Sequence, residues 1–168
     1  MILVYTGNGK GKTTACAGQA LRALGQGMTV SFCQFMKRDV QAGEQVMLGR
    51  LLGEDFCACG AGFFRDPAQR QAHRDAALAA LAWAGGRLAS GRDMLVLDEA
   101  LYALDATLIL RDELAALLDQ AQAGGTIVVL SGRGLPDWLL GRADLVTEMR
   151  EIKHPLAEGR PARRGIEF

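Results

Sequence analysis

The opening stretch, MILVYTGNGKGKTT, restricts what this chain can fold into more than any other segment. An apolar run from Met1 to Tyr5 feeds directly into Gly7, Gly9 and Gly11, followed by Lys12, Thr13 and Thr14. A short uninterrupted apolar run of this kind suits a strand covered on both faces, the situation of a parallel sheet. The glycines permit a backbone that turns its N–H groups inward, while Lys12 adds positive charge and Thr13 a hydroxyl suited to a metal ion. A helix beginning at Thr13 aims its positive dipole end at the same point. The stretch therefore reads as a phosphate cradle. It departs from the spacing G-x-x-x-x-G-K-[ST] in one place, because that pattern requires glycine where this chain has Thr6.

The remaining chain alternates strand and helix signals. Thr13 to Leu24 has helical spacing and ends near Gly25 and Gly27, and Met28 to Phe35 reads as a second buried strand. Gln34, Phe35, Met36 and Lys37 fall at its C-terminal end, the edge where ligands of open α/β sheets bind, although an ordinary strand end fits equally well. A loop to Gly43, a helix from Glu44 to Leu52 and a short strand from Phe56 to Cys59 follow. Phe63 and Phe64 sit beside a glycine turn, as pocket-lining rings or as a loop folded on the core. Asp66 and Pro67 open a long helix running to Leu88. Asp93 to Glu99 is a further apolar run, and it delivers the carboxylates of Asp98 and Glu99 to a strand end. Behind a phosphate loop, such a strand resembles a Walker B segment, whose acid helps hold Mg2+ directly or through water. A helix from Arg111 to Ala123, a strand from Thr126 to Leu130, a short helix from Pro136 to Leu140, a strand beginning at Ala143 and a last hairpin in the tail complete the reading. Arg133 either points at a bound anion or makes a surface ion pair, and the basic tail either borders an anion or is a solvated edge.

Composition narrows the function classes. The 168 residues suit one domain with a core that needs no staples. With 19 basic and 19 acidic residues the formal net charge is zero, so there is no general attraction to nucleic acid or an anionic membrane, and an anionic ligand must be held locally. No apolar stretch reaches the roughly 20 residues of a membrane span, and the start lacks the features of a signal peptide, so the expected location is cytoplasmic. Cys16, Cys33, Cys57 and Cys59 form no C-x-x-C pair, and buried or free thiols are expected in preference to a zinc site.

Taken in order, several segments resemble the P-loop ATP:corrinoid adenosyltransferases that make adenosylcobalamin or its precursors. They are the loop from Thr6 to Thr14, Gln34 to Lys37, Leu95 to Glu99, Ser131 to Arg133, Ala143 to Met149, Lys153 to Pro155 and Gly165 to Glu167. The likeness covers nearly the whole chain, and the family is similar in having a shortened glycine pattern at Thr6. The resemblance implies an α/β, P-loop NTPase-like, RecA-like fold, with a mostly parallel central sheet flanked by helices. It implies attack by the Co(I) of a reduced corrinoid, cob(I)alamin or cob(I)yrinic acid a,c-diamide, on the 5′ carbon of ATP, with triphosphate as leaving group. Gly7, Asn8, Gly9, Lys10, Gly11, Lys12, Thr13 and Thr14 would bind the nucleotide, Thr13 with Asp98 or Glu99 would hold Mg2+, and Arg133 would add a phosphate contact. Lys12, Thr13 and Arg133 would thus carry the catalytic charge stabilisation, while Phe63 and Met36 would face the corrinoid. A flavodoxin-type reductant and a homodimer are also implied. Phe63, Phe64 and Arg65 stand where the family commonly has Phe-Thr-Trp, so an aromatic that helps displace the lower cobalt ligand is replaced by Arg65. The chain begins at its first strand, whereas family members can carry an N-terminal extension over the active site, so closure by a partner subunit or a looser closure is expected. The competing readings are a P-loop ATPase that breaks the β,γ bond and a non-catalytic module that binds corrinoid and ATP.

Overall fold

The computed structural model describes residues 1–38, 42–62, 64, 66–155 and 159–168. Its centre is a sheet of β1 (Ile2–Thr6), β2 (Val30–Gln34), β3 (Phe56–Ala58), β4 (Met94–Asp98), β5 (Ile127–Ser131) and β6 (Leu145–Glu148). The spatial order is β3-β2-β4-β5-β1-β6, and every pairing is parallel. Among the described residues the α-helices are α1 (Lys12–Gly25), α2 (Gly43–Leu52), α3 (Arg70–Ala89), α4 (Ala100–Asp105), α5 (Arg111–Ala123) and α6 (Asp137–Leu140).

The two-residue side-chain period of the strands divides the apolar residues between two cores. Ile2, Val4, Leu95, Leu97, Val128 and Leu130 join α3 and α5 in one cluster; Leu3, Met94, Val96 and Val129 join α1 and Leu48 of α2 in the other. Small residues let the helices approach closely, with Cys16, Ala20 and Ala23 buried on α1 and Ala77, Ala80 and Ala84 on α3. The strand carrying Asp98 is not a neighbour of β1, because β5 lies between them. This is the strand arrangement of RecA-like P-loop folds, and it sets three strand ends side by side above one cleft.

Some local expectations need correction. Asp66 does cap its helix, accepting from Ala68 N at 2.9 Å, but the first turn is a 3-10 turn, Pro67–Gln69, before α3 begins. The six-residue α4 is too short for its periodicity to show in the sequence. The tail forms a turn instead of a hairpin among its described residues, closed by Gly165 N on Phe168 O at 2.7 Å and Glu167 N on Arg163 O at 2.9 Å. Cys57 and Cys59 are joined by a disulfide, and Cys16 and Cys33 are free and buried. No helix among the described residues is long and apolar enough to cross a membrane.

Candidate active site

Thr6 closes β1 and is not part of the turn: its carbonyl accepts from Met149 N at 2.8 Å, and the left-handed backbone begins at Gly7, φ 97°. The missing glycine therefore costs the loop nothing. Close packing adds a demand that the sequence reading attributed to phosphate alone. A Cβ at Gly7 would stand 2.5 Å from Met149 O and one at Gly9 2.7 Å from the same atom, while Gly9 N donates to Met149 O at 2.7 Å. The glycines bring the loop against the residues leaving β6, and that contact fixes its shape.

From this loop α1 starts with Lys12, which is only 7% exposed. Its ammonium donates to Gly7 O at 2.7 Å and Gly9 O at 2.8 Å, so the charge is held inside the turn. Burial, with a contribution from Arg133, lowers its pKa, against the opposing pull of Glu99 and Asp98. One helical step on, the Thr13 hydroxyl donates to the Asp98 carboxylate at 3.1 and 3.2 Å.

Asp98, at the end of β4, is fully buried and completely hydrogen-bonded by neighbours from different strands. Ser131 Oγ at the end of β5 donates to it at 2.6 Å, and Gln34 Nε2 at the end of β2 at 2.9 Å. Gln45 supports Gln34 in turn, donating to its Oε1 at 3.0 Å. The Lys37 ammonium stands 4.0 Å from Asp98, 3.4 Å from Thr13 Oγ1 and 2.7 Å from Glu44 Oε1. Burial alone would raise the Glu44 pKa, but the Lys37 hydrogen bond and charge, with further hydrogen bonds, bring the net shift downward. Ser131, Glu44 and Gln45 were not singled out by the sequence reading. Ser131 and Gln34 lie within segments already quoted, so position at a strand end was the available signal.

Glu99 follows in a left-handed conformation, φ 62° and ψ 16°, with its N–H donating to Ser131 Oγ at 3.0 Å. Non-glycine residues adopt that conformation only when their surroundings hold them there. Burial, and then the charge of Asp98, push its pKa up against Lys12, Lys37 and Arg133. Glu99 and the exposed Arg133 line the same cleft as Asn8 to Thr14, with a volume of about 810 Å³. Its far wall is the tail, from Gly165 to Phe168, where Ile166 O accepts from Lys10 Nζ at 2.6 Å.

The structure thus gathers Asn8, Gly9, Lys10, Gly11, Lys12, Thr13, Thr14, Glu99 and Arg133 on one cleft, with Gly7 and Asp98 immediately behind it. Met36, expected to meet a corrinoid, is instead 2% exposed within the core, because the apolar face of β2 continues past the strand end through Phe35 and Met36. Phe63 and Arg65 lie outside the described residues.

A parallel sheet with a glycine loop and lysine after β1, and a buried Asp followed by Glu two strands away, defines a P-loop nucleotide-binding protein. Within that class the chain belongs to the ATP:corrinoid adenosyltransferase family: the family model described as ATP:corrinoid adenosyltransferase BtuR/CobO/CobP matches residues 1–168. It is 37% identical over 171 residues to corrinoid adenosyltransferase CobA of Salmonella typhimurium, covering 100% of this chain and 85% of that one. It is also 37% identical to a corrinoid adenosyltransferase of Pseudomonas aeruginosa, covering 100% and 83% of the two chains. The Escherichia coli K12 enzyme is 36% identical, with coverage of 100% and 85%. Among solved structures, the flagellar accessory protein FlaH of Methanocaldococcus jannaschii aligns with TM-score 0.49 and 12% identity, covering 88% of this chain and 69% of that one. AMPPCP-bound DnaA of Aquifex aeolicus gives 0.45 and 13%, covering 88% and 39%.

Proposed function

We propose that residues 1–168 act as one domain that moves the 5′-deoxyadenosyl group of ATP to the Co(I) of a reduced corrinoid and releases triphosphate. The observation that carries this reading is the convergence of Lys12, Thr13, Asp98, Glu99 and Arg133 on one cleft in a chain that matches the family from end to end. The attacking electron pair belongs to cobalt, so the protein needs no general base. Its task is to align the 5′ carbon with cobalt, exclude water and balance charge on the departing triphosphate.

The residues divide that task. Lys12, Lys10, Arg133 and the loop amides from Asn8 to Thr14 bind phosphate oxygens, Lys10 giving up its bond to Ile166 O to do so. Thr13 with Asp98 or Glu99 would hold Mg2+, and the donor set fits: hard oxygens converge there, and the Lys37 ammonium already rests among them. When bound, the ion supplies positive charge to the triphosphate. Ser131 and Gln34 orient Asp98, and Glu99 is positioned by its constrained backbone. Phe63 is assigned to the corrinoid face on the resemblance, which also supports a flavodoxin-type electron donor and a homodimer.

Incubation with ATP, Mg2+ and chemically reduced cobalamin is expected to yield a light-sensitive alkylcobalamin and triphosphate in equal amounts. ADP and phosphate formed independently of corrinoid would overturn the reading in favour of an ATPase, and binding of both ligands without turnover would leave a non-catalytic module.

A further inference from the structure

Three of the four cysteines meet at one place. Cys33 on β2 and Cys57 on β3 are direct cross-strand partners, so their side chains share a face of the sheet. Cys59 stands two residues beyond Cys57 and returns to that face. The three sulfurs all lie within 4.8 Å of one another; Cys33 is buried, and Cys57 and Cys59 are half-buried near the sheet edge. None of them lines the nucleotide cleft.

Cys33 belongs to the core and Cys57 and Cys59 pack against it, but neither packing nor stapling requires sulfur at all three positions. A bridge between residues only two apart in sequence closes so small a loop that it constrains the unfolded chain very little. A packing role would be met by any small apolar side chain, yet sulfur recurs at all three positions of the patch. Thiolates bound at about 2.3 Å to a common ion stand about 4 Å apart, a separation that the span of 4.8 Å holding all three sulfurs accommodates once the Cys57–Cys59 bridge is opened. Soft sulfur donors select soft or borderline ions over Mg2+ or Ca2+.

We propose that, with the Cys57–Cys59 disulfide reduced, Cys33, Cys57 and Cys59 bind a thiophilic d10 cation, Zn2+ or Cu+, and that the disulfide closes this site. The redox step needs an external dithiol. The dithiol supplies two electrons and two protons, the Cys57–Cys59 bond breaks, two thiols form, and the dithiol becomes its own disulfide. Cation binding then forms metal–sulfur bonds and releases thiol protons to solvent. Among the described residues this cluster holds sulfur alone, so any fourth position falls to water or stays open.

The test uses the full chain, treated anaerobically with dithiothreitol, desalted, and divided into reduced and diamide-oxidised samples. Each is titrated with Co2+ as a spectroscopic stand-in for Zn2+, and with Zn2+ or Cu+ delivered from a competing chelator. The reduced chain is expected to bind one ion and to show thiolate-to-cobalt charge-transfer absorption, while the oxidised chain shows no such absorption. Cys33→Ser, Cys57→Ser and Cys59→Ser should each weaken binding at least about tenfold, and Cys16→Ser should leave it unchanged. The comparison of reduced with oxidised wild-type chain does not depend on whether a variant folds. Retention of Zn2+ or of Cu+ by the reduced chain alone supports the site and identifies its ion. Equal uptake by both redox forms, absence of the thiolate band, or a band that survives in Cys57→Ser and Cys59→Ser overturns it.

Discussion

Lys12 and Glu99 are two cleft residues whose charge is disfavoured by burial. The Lys12 ammonium is already satisfied by Gly7 O and Gly9 O, so it meets an incoming phosphate from a fixed position. Lys12→Ala should weaken ATP binding about 10–100-fold, the worth of one charge-assisted hydrogen bond at about 1.5–3 kcal/mol, and should abolish transfer; calorimetry and a turnover assay on the same sample check both. Glu99 carries the opposite kind of cost. Its pKa is raised in the folded chain by burial and then by Asp98, so its favourable contribution is complete below the ordinary glutamate range and is lost as pH rises through the raised value. Glu99→Gln removes the ionisation. The variant should melt higher than wild type near neutral pH, the gap should close as pH falls through the ordinary glutamate range, and transfer should drop about tenfold or more. A gap independent of pH would show that the charge of Glu99 is not the source of the cost.

At the scale of elements, the loop and α1 contain glycines with opposite reasons for being there. Gly9 faces backbone, with Met149 O and Arg150 C within 3 Å of an added Cβ, whereas a Cβ at Gly18 on α1 meets nothing within 4 Å. Gly9→Ala should therefore destabilise the chain by about 1–3 kcal/mol and displace the loop, lowering ATP affinity. Gly18→Ala should stabilise it by about 0.5–1 kcal/mol with ATP affinity unchanged; paired thermal melts and ATP titrations distinguish the two. The same contrast shows what the sequence could and could not disclose. The strands and longer helices were legible because their apolar periods are local, and the loop lysine and the Asp98-Glu99 pair were legible because motif spacing is local too. The support of Asp98 by Gln34 and Ser131 was not, because they reach it across 64 and 33 residues. The cysteine cluster was hidden for the same reason: only the register of β2 against β3 brings Cys33 beside Cys57. The tail, expected as a hairpin, instead forms a closed turn and a wall of the cleft over residues 159–168, a role set by contacts with Lys10 far away in sequence.

For the whole molecule, ligand binding and folding are coupled through the cleft. Mg2+-ATP at about 100 times its dissociation constant should add about 2.7 kcal/mol to stability, a rise of roughly 5–10 °C in melting temperature for a chain of this size. Scanning calorimetry should find that rise in the wild type and little of it in Lys12→Ala. The order of the sheet also bears on how the protein comes into being. The neighbours of β1 are β5 and β6, and the loop behind β1 rests on Met149. β1 therefore finds no hydrogen-bonding partner in the sheet until β5 and β6 have been synthesised, and these long-range pairings must pay loop-closure entropy late. A nascent chain that stops before β5 carries the full glycine-lysine sequence and still has no shaped phosphate loop. Nucleotide affinity is thus a property that depends on β5 and β6 having been made, although every residue of the loop is encoded far ahead of them.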